Sequence, residues 1–236
     1  MSEYLIKLED IFKSYYVGLP NELEILHGVN VQIKEGQFVA IVGYSGSGKS
    51  TLMNILGALD RPTKGNYSLD SINIKETEDV ELSKIRNKKI GFVFQNFNLI
   101  ARLSAIKNVE LPMSYAGVSK TQRHEKAMKL LEMVGMEKRK NHLPNELSGG
   151  EKQRIAIARA MANNPSIILA DEPTGSLDSK TGRMVMDIFH RLHKEQNKTI
   201  ILITHSNELA EEADEIITIK DGMIVDKRKG KGNELA

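Results

Sequence analysis

The chain has 236 residues, 40% of them hydrophobic, which is enough to bury a sizeable core in one large or two-lobed domain. A formal net charge of +2 supplies no concentrated basic face, so nucleic acid is not an expected partner, and the absence of cysteine excludes disulfides and thiolate metal sites. No apolar run approaches the roughly 20 residues that cross a bilayer, and the first seven residues lack a secretory leader's features, so a cytosolic protein is expected that reaches a membrane only through a partner.

The first ninety residues alternate like β structure, with short strands expected at 5–8, 29–33 and 67–72. Among them the apolar run 38–42 leads into Gly43-Tyr44-Ser45-Gly46-Ser47-Gly48-Lys49-Ser50, followed by a helix from Thr51 to Gly57. From about 104 to 141 the pattern turns helical, and Met128, Leu131 and Val134 share one face. Methionines 113, 128, 133 and 136 either fill that core or line an adaptable docking groove. Ser148 opens a helix reaching about Ala162. Strand–helix alternation then resumes with 167–170, a helix near 183–196 and a strand at 199–204, and continuous apolar runs of this kind suit buried parallel strands. The expected fold class is α/β: a phosphate-loop NTPase core with a mostly parallel sheet, an N-terminal antiparallel β subdomain and an inserted helical subdomain. As a single domain, 1–236 divides into a core of about 1–96 and 161–225, a helical subdomain of about 97–160, and a loose tail of about 226–236.

Residues 43–50 fit G-x-x-x-x-G-K-[ST], the loop whose glycines let backbone N–H groups approach phosphate oxygens at a helix start. Lys49 would charge-pair the β- and γ-phosphates, and the Ser50 hydroxyl would ligate Mg²⁺. Asp171 and Glu172 follow an apolar strand and are stopped by Pro173, a position that suits metal binding and water activation, although acidic residues also favour helix starts. Gly43, Gln95, Asp171 and His205 each come directly after an apolar run, so strands adjacent in one parallel sheet would bring all four to one edge. His190 and His193 share a helix face and are expected to be solvated rather than metal-bound.

Ser148-Gly149-Gly150-Glu151 matches a capping box, yet capping does not call for two glycines. They would let Ser148 and nearby amides approach an anion, and with Lys49 already serving this chain's own phosphate, that anion is expected on a second copy.

With these motifs in place, the chain resembles an ATP-binding-cassette ATPase subunit over nearly its whole length. The motifs are residues 43–50, Gln95 in Phe92-Val93-Phe94-Gln95, residues 147–151, Asp171-Glu172, Ser176-Leu177-Asp178 and His205. The resemblance implies an ATP sandwich between two copies, with Ser148, Gly149 and Gly150 of one covering nucleotide held by the other. It further implies that Tyr15 stacks on adenine, Gln95 reaches Mg²⁺ and relays to the membrane partner, His205 contacts the γ-phosphate and Asp178 ties the two sites together. ATP is the expected nucleotide, since no Asn-Lys-x-Asp guanine-reading motif follows the loop. Residues 94–99, 108–112 and 170–175 are similar to the lipoprotein-release, macrolide-efflux and antimicrobial-peptide-resistance branch. Tyr44 stands where that family often has proline and Glu151 where it often has glutamine, and Glu151 is expected to weaken contacts at a neighbour's nucleotide.

The leading expectation is therefore an ATPase that drives separate membrane permease subunits through the surface around Gln95 and residues 101–112. A cell-division or signalling ATPase is the alternative. A cassette protein acting on ribosomes or DNA usually carries two cassettes or long inserted arms, and this chain has neither.

Overall fold

The computed structural model describes residues 4–232. They fall into two compact units, one built from the chain up to residue 82 and from residue 199 onward, the other from 83–198.

In the first unit, β1 (Ile6–Tyr15) lies between β2 (Leu23–Ile33) and β4 (Lys64–Leu69), antiparallel to both. Leu8 faces Val31 on one side and Tyr67 on the other, and all three are buried. The Tyr67 hydroxyl donates to the Leu56 carbonyl at 2.6 Å, and burial drives its pKa well above the ordinary phenol value. Asp70 and Ser71, both with positive φ, turn the chain into β5 (Ile72–Asn73), so the strand expected over 67–72 is a tight hairpin instead. Between β2 and β4 come β3 (Phe38–Val42), buried at every position, and α1 (Lys49–Leu56), which buries Leu52, Met53, Ile55 and Leu56. The helix α2 (Asp79–Lys89) crosses the unit boundary and complements its dipole, with Asp79 and Glu81 in its first turn and Arg86, Lys88 and Lys89 in its last.

The second unit opens with β6 (Ile90–Phe94). Every regular element between residues 97 and 160 is helical: α3 (Ala105–Tyr115), α4 (Lys120–Met133), two single turns at Glu137–Arg139 and Pro144–Glu146, and α5 (Gly149–Ala160). Buried Val109, Met113, Leu131, Val134 and Met136 give this segment its core. Met113 and Met136 thus fill the interior, which rules them out as lining for an open groove. The carboxylate of Glu110, nearly buried on α3, accepts from Lys107 at 2.7 Å and meets His124 on α4 at 3.0 Å. The strand β7 (Ile167–Asp171) pairs in parallel with β6 and takes in Asp171, one residue beyond the run read from the sequence. The helix α6 (Ser179–Gln196) starts four residues earlier than its apolar pattern, because the Asp178 carboxylate caps the Thr181 N–H at 3.0 Å.

The chain returns to the first unit through β8 (Thr199–Thr204), α7 (Asn207–Ala210), β9 (Glu215–Lys220) and β10 (Met223–Lys229). Parallel β8 and β9 flank β3, and β10 closes the edge antiparallel to β9. The tail expected from residue 226 is therefore not loose at its start. Asp226 to Lys229 form ladder partners with Thr218 to Glu215, since backbone pairing needs no apolar side chains, and the N–H groups of Gly230 and Lys231 bond back to Asp214 and Glu211. Residues 233–236 of that tail, and residues 1–3 of the leader reading, lie outside the described residues. Among the described residues no helix is long and apolar enough to cross a membrane.

Candidate functional site

The first unit contains an anion cradle. Val42 ends β3, the exposed loop of Tyr44, Ser45 and Gly46 follows, and α1 begins at Lys49. Gly48 is the N-cap with φ 99°, a conformation that a β-carbon would strain, and it has no side chain to satisfy the first-turn amides. Serine or aspartate side chains cap α4 to α7, whereas α1 has neither a side-chain cap nor an acidic residue in its first turn. Its positive end therefore opens onto the loop beside the exposed Ser50 and half-buried Thr51. The Lys49 ammonium donates to the carbonyls of Gly43 at 2.7 Å and Tyr44 at 2.8 Å, so the loop curls around a full positive charge. From below, Gly222 in the β9–β10 turn donates its N–H to the buried Ser47's carbonyl at 3.0 Å.

Two further predicted residues belong to this unit. His205 directly follows β8 and is exposed. Because Val42 and Thr204 are register partners, Gly43 and His205 leave neighbouring strands at one edge. Tyr15 ends β1, half-buried, and its hydroxyl donates to Asp60 at 3.2 Å.

The second unit repeats this edge arrangement. Phe94 and Asp171 are register partners, so Gln95 and Glu172 are the next residues on paired strands. Glu172 has φ 44°, left-handed for a non-glycine residue, a conformation that surrounding structure must hold and that often accompanies functional sites. The loop after it is tied down on both sides: Gln153 of α5 donates to the Pro173 carbonyl at 2.7 Å, and Ser176 donates to the Gln95 carbonyl at 3.2 Å.

At the start of α5 the capping box is present. The Ser148 N–H donates to the Glu151 carboxylate at 2.9 Å, and the Ser148 hydroxyl accepts from the Glu151 N–H at 3.3 Å. The Ser148 backbone N–H is the main cause that holds the Glu151 carboxyl below its ordinary pKa, with Arg139 helping at 3.0 Å. The extra charge of Glu151 is thus spent within its own helix cap. Gly150 is buried, and a β-carbon there would come within 2.1 Å of the Thr181 methyl, so packing by itself favours glycine here. Ser148 itself is exposed, as is Asp178 at the cap of α6.

Two residues that carried no individual role in the sequence reading organise the loop after Gln95. The Arg159 guanidinium donates to the carbonyls of Phe97 and Asn98, both in left-handed conformation. Buried Asn108 accepts from the Ile100 N–H at 2.8 Å and donates to the carbonyls of Ile100, Leu103 and Ser104. The available signal was an arginine and an asparagine at core-facing positions of apolar helices.

A glycine-rich strand–loop–helix cradle around a lysine, with carboxylates at the ends of parallel strands, defines the phosphate-loop nucleotide-hydrolysing class. The family model described as ABC transporter matches residues 26–175. The ABC transporter ATP-binding protein YknY of Bacillus subtilis is 51% identical over 96% of this chain and 98% of its own length. The macrolide export ATP-binding/permease protein MacB of Campylobacter fetus is 52% identical over 95% of this chain, which spans 35% of that protein. The dimeric, post-hydrolysis structure of the ATP-binding cassette MJ0796 bound to ADP and Pi superposes with a TM-score of 0.88, at 48% identity, over 95% of this chain and 98% of that one. The chain belongs to the ABC transporter family, and it is an ATP-binding ATPase.

Proposed function

We propose that the chain powers a membrane transporter as a pair of identical subunits that close on two ATP molecules and reopen when these are hydrolysed. The observation that carries this reading is the uncapped start of α1 wrapped by an exposed loop around Lys49, a built site for a polyphosphate. Tyr15 stacks on adenine. Gly43, Tyr44, Ser45, Gly46, Ser47, Gly48, Lys49, Ser50 and Thr51 cradle the phosphates, and His205 meets the γ-phosphate. Glu172 orients or deprotonates the attacking water, a contribution typically worth about 10²–10⁴-fold. The Ser50 hydroxyl, the Gln95 side-chain carbonyl and the Asp171 carboxylate are all oxygen donors, the set that Mg²⁺ prefers, and they would hold it. That ion, when bound, neutralises charge on the β- and γ-phosphates.

Ser148, Gly149, Gly150 and Glu151 of one copy cover the nucleotide of the other, and Asp178 links the two sites. The dimeric relative bound to ADP and Pi supports this arrangement. MacB, by its name, joins ATP binding to a permease and to macrolide export, and the present chain corresponds to about a third of it. Separate permease subunits therefore hold this chain at the inner face of the cell membrane, docking near Gln95 and residues 101–112, and the cargo is an exported or extracted lipoprotein, peptide or drug.

Glu172→Gln is the test. The variant should bind ATP, release phosphate at least a hundredfold more slowly than wild type, and elute from gel filtration with ATP as a dimer. A variant that hydrolyses ATP at the wild-type rate and stays monomeric overturns the reading.

A further inference from the structure

The end of β1 is braced more heavily than a strand terminus requires. Lys13 and Tyr15 are two residues apart, so strand geometry sends both side chains to one face. The Lys13 ammonium sits over the Tyr15 ring, 4.9 Å from its centroid. The same ammonium donates to Asp60 at 2.6 Å and to the Arg61 carbonyl at 2.9 Å. Asp60 then accepts the Tyr15 hydroxyl with its second carboxylate oxygen, at 3.2 Å. One carboxylate therefore fixes both the cation beneath the ring and the phenol at its tip. Between the two, Ser14 exchanges hydrogen bonds with the Thr63 hydroxyl, its N–H donating at 2.9 Å and its carbonyl accepting at 3.3 Å.

The bracing segment, residues 60–63, follows the turn that ends the phosphate-loop helix. Past its C-terminus the N–H groups of Leu59 and Asp60 both bond to the Asn54 carbonyl of α1. A hydrogen-bonded path thus runs from the helix of the phosphate cradle to the tyrosine ring. The Lys13 side chain is only 11% exposed, which is unusual for a lysine with no ligand role of its own. Burial works to raise the Asp60 carboxyl, yet Lys13 and the Arg61 N–H hold it below its ordinary value, so it stays ionised against the ammonium.

We infer that Lys13 and Asp60 are positioning residues that preset the Tyr15 ring, one face backed by the ammonium, for stacking of the nucleotide base on the other. This inference rests on Tyr15 being the adenine platform. A ring held in one rotamer loses less freedom on binding, and a cation behind it draws electron density from the face offered to the base.

Calorimetric titration of the full chain with ATP and with inorganic tripolyphosphate, which has no base, separates the possibilities. Lys13→Met and Asp60→Asn should each weaken ATP by about threefold to tenfold and leave tripolyphosphate affinity unchanged. The loss should fall on KM for ATP rather than on kcat, and Lys13→Met should add nothing in a Tyr15→Ala background. Thermal unfolding identifies any variant that fails to fold, and Asp60→Asn, which keeps the side-chain volume, then stands as the test. Unchanged ATP affinity in Tyr15→Ala overturns the adenine platform itself. A loss in Tyr15→Ala without one in Lys13→Met and Asp60→Asn overturns the positioning role alone, as does a loss shared by tripolyphosphate or additive in the double variant.

Discussion

At the scale of single residues, the two glycines after Ser148 prove unequal. Gly150 packs where any β-carbon would overlap Thr181, while a β-carbon on Gly149 meets the flexible end of Leu177 at 3.3 Å and the Phe97 ring edge at 3.7 Å. Gly150→Ala is therefore expected to destabilise the chain by about 1–3 kcal/mol through overpacking, and Gly149→Ala by less. Urea denaturation of both variants measures this, and equal midpoints would show that the contact with Thr181 relaxes freely. The Glu151 carboxylate, for its part, takes the Ser148 N–H and Arg139, so its charge is partly neutralised within its own helix cap.

At the scale of elements, the junction of α3 and α4 is held by an ionic cluster in a nearly buried place. Burial would raise the Glu110 carboxyl, but hydrogen bonds from Lys107 and His124 lower it below its ordinary value. A carboxylate with a depressed folded pKa adds stability above its unfolded pKa, about 4.3, and loses it as pH falls through the folded value. The urea midpoint of wild type should accordingly drop between about pH 5 and 3 more steeply than that of Glu110→Gln. Parallel curves for the two proteins would remove Glu110 from the account. The neighbouring loop after Gln95 depends on two elements at once, since Arg159 of α5 and Asn108 of α3 hold its carbonyls. Movement of α5, whose first residues cap a partner's nucleotide in the proposed cycle, would therefore reach the loop proposed to touch the permease.

At the scale of the whole molecule, the prediction concerns two copies. Ser148 is exposed at the start of α5, so an arginine there adds bulk without disturbing a core. Ser148→Arg in the Glu172→Gln background should retain ATP binding by calorimetry and lose the ATP-dependent dimer on gel filtration. A dimer that survives this change would remove Ser148 from the interface.

Much was legible without coordinates wherever chemistry is local. The phosphate loop needs a strand, glycines, a lysine and a helix in immediate succession, and Val42 to Lys49 supply them in eight positions. Buried runs 38–42, 167–170 and 199–204 announce themselves as apolar because both of their faces are covered. Tertiary structure alone decided the rest. The ordering of residues 226–229 comes from a backbone ladder that side-chain patterning does not encode, and the hairpin at Asp70-Ser71 from two positive φ angles. The joint hold of Lys13 and Asp60 on Tyr15 and of Arg159 on Phe97 and Asn98 spans 45 and 62 positions of sequence respectively. Hydrogen bonds are short-ranged and directional, so such pairings exist only once the fold has brought their partners within 3 Å or so of one another.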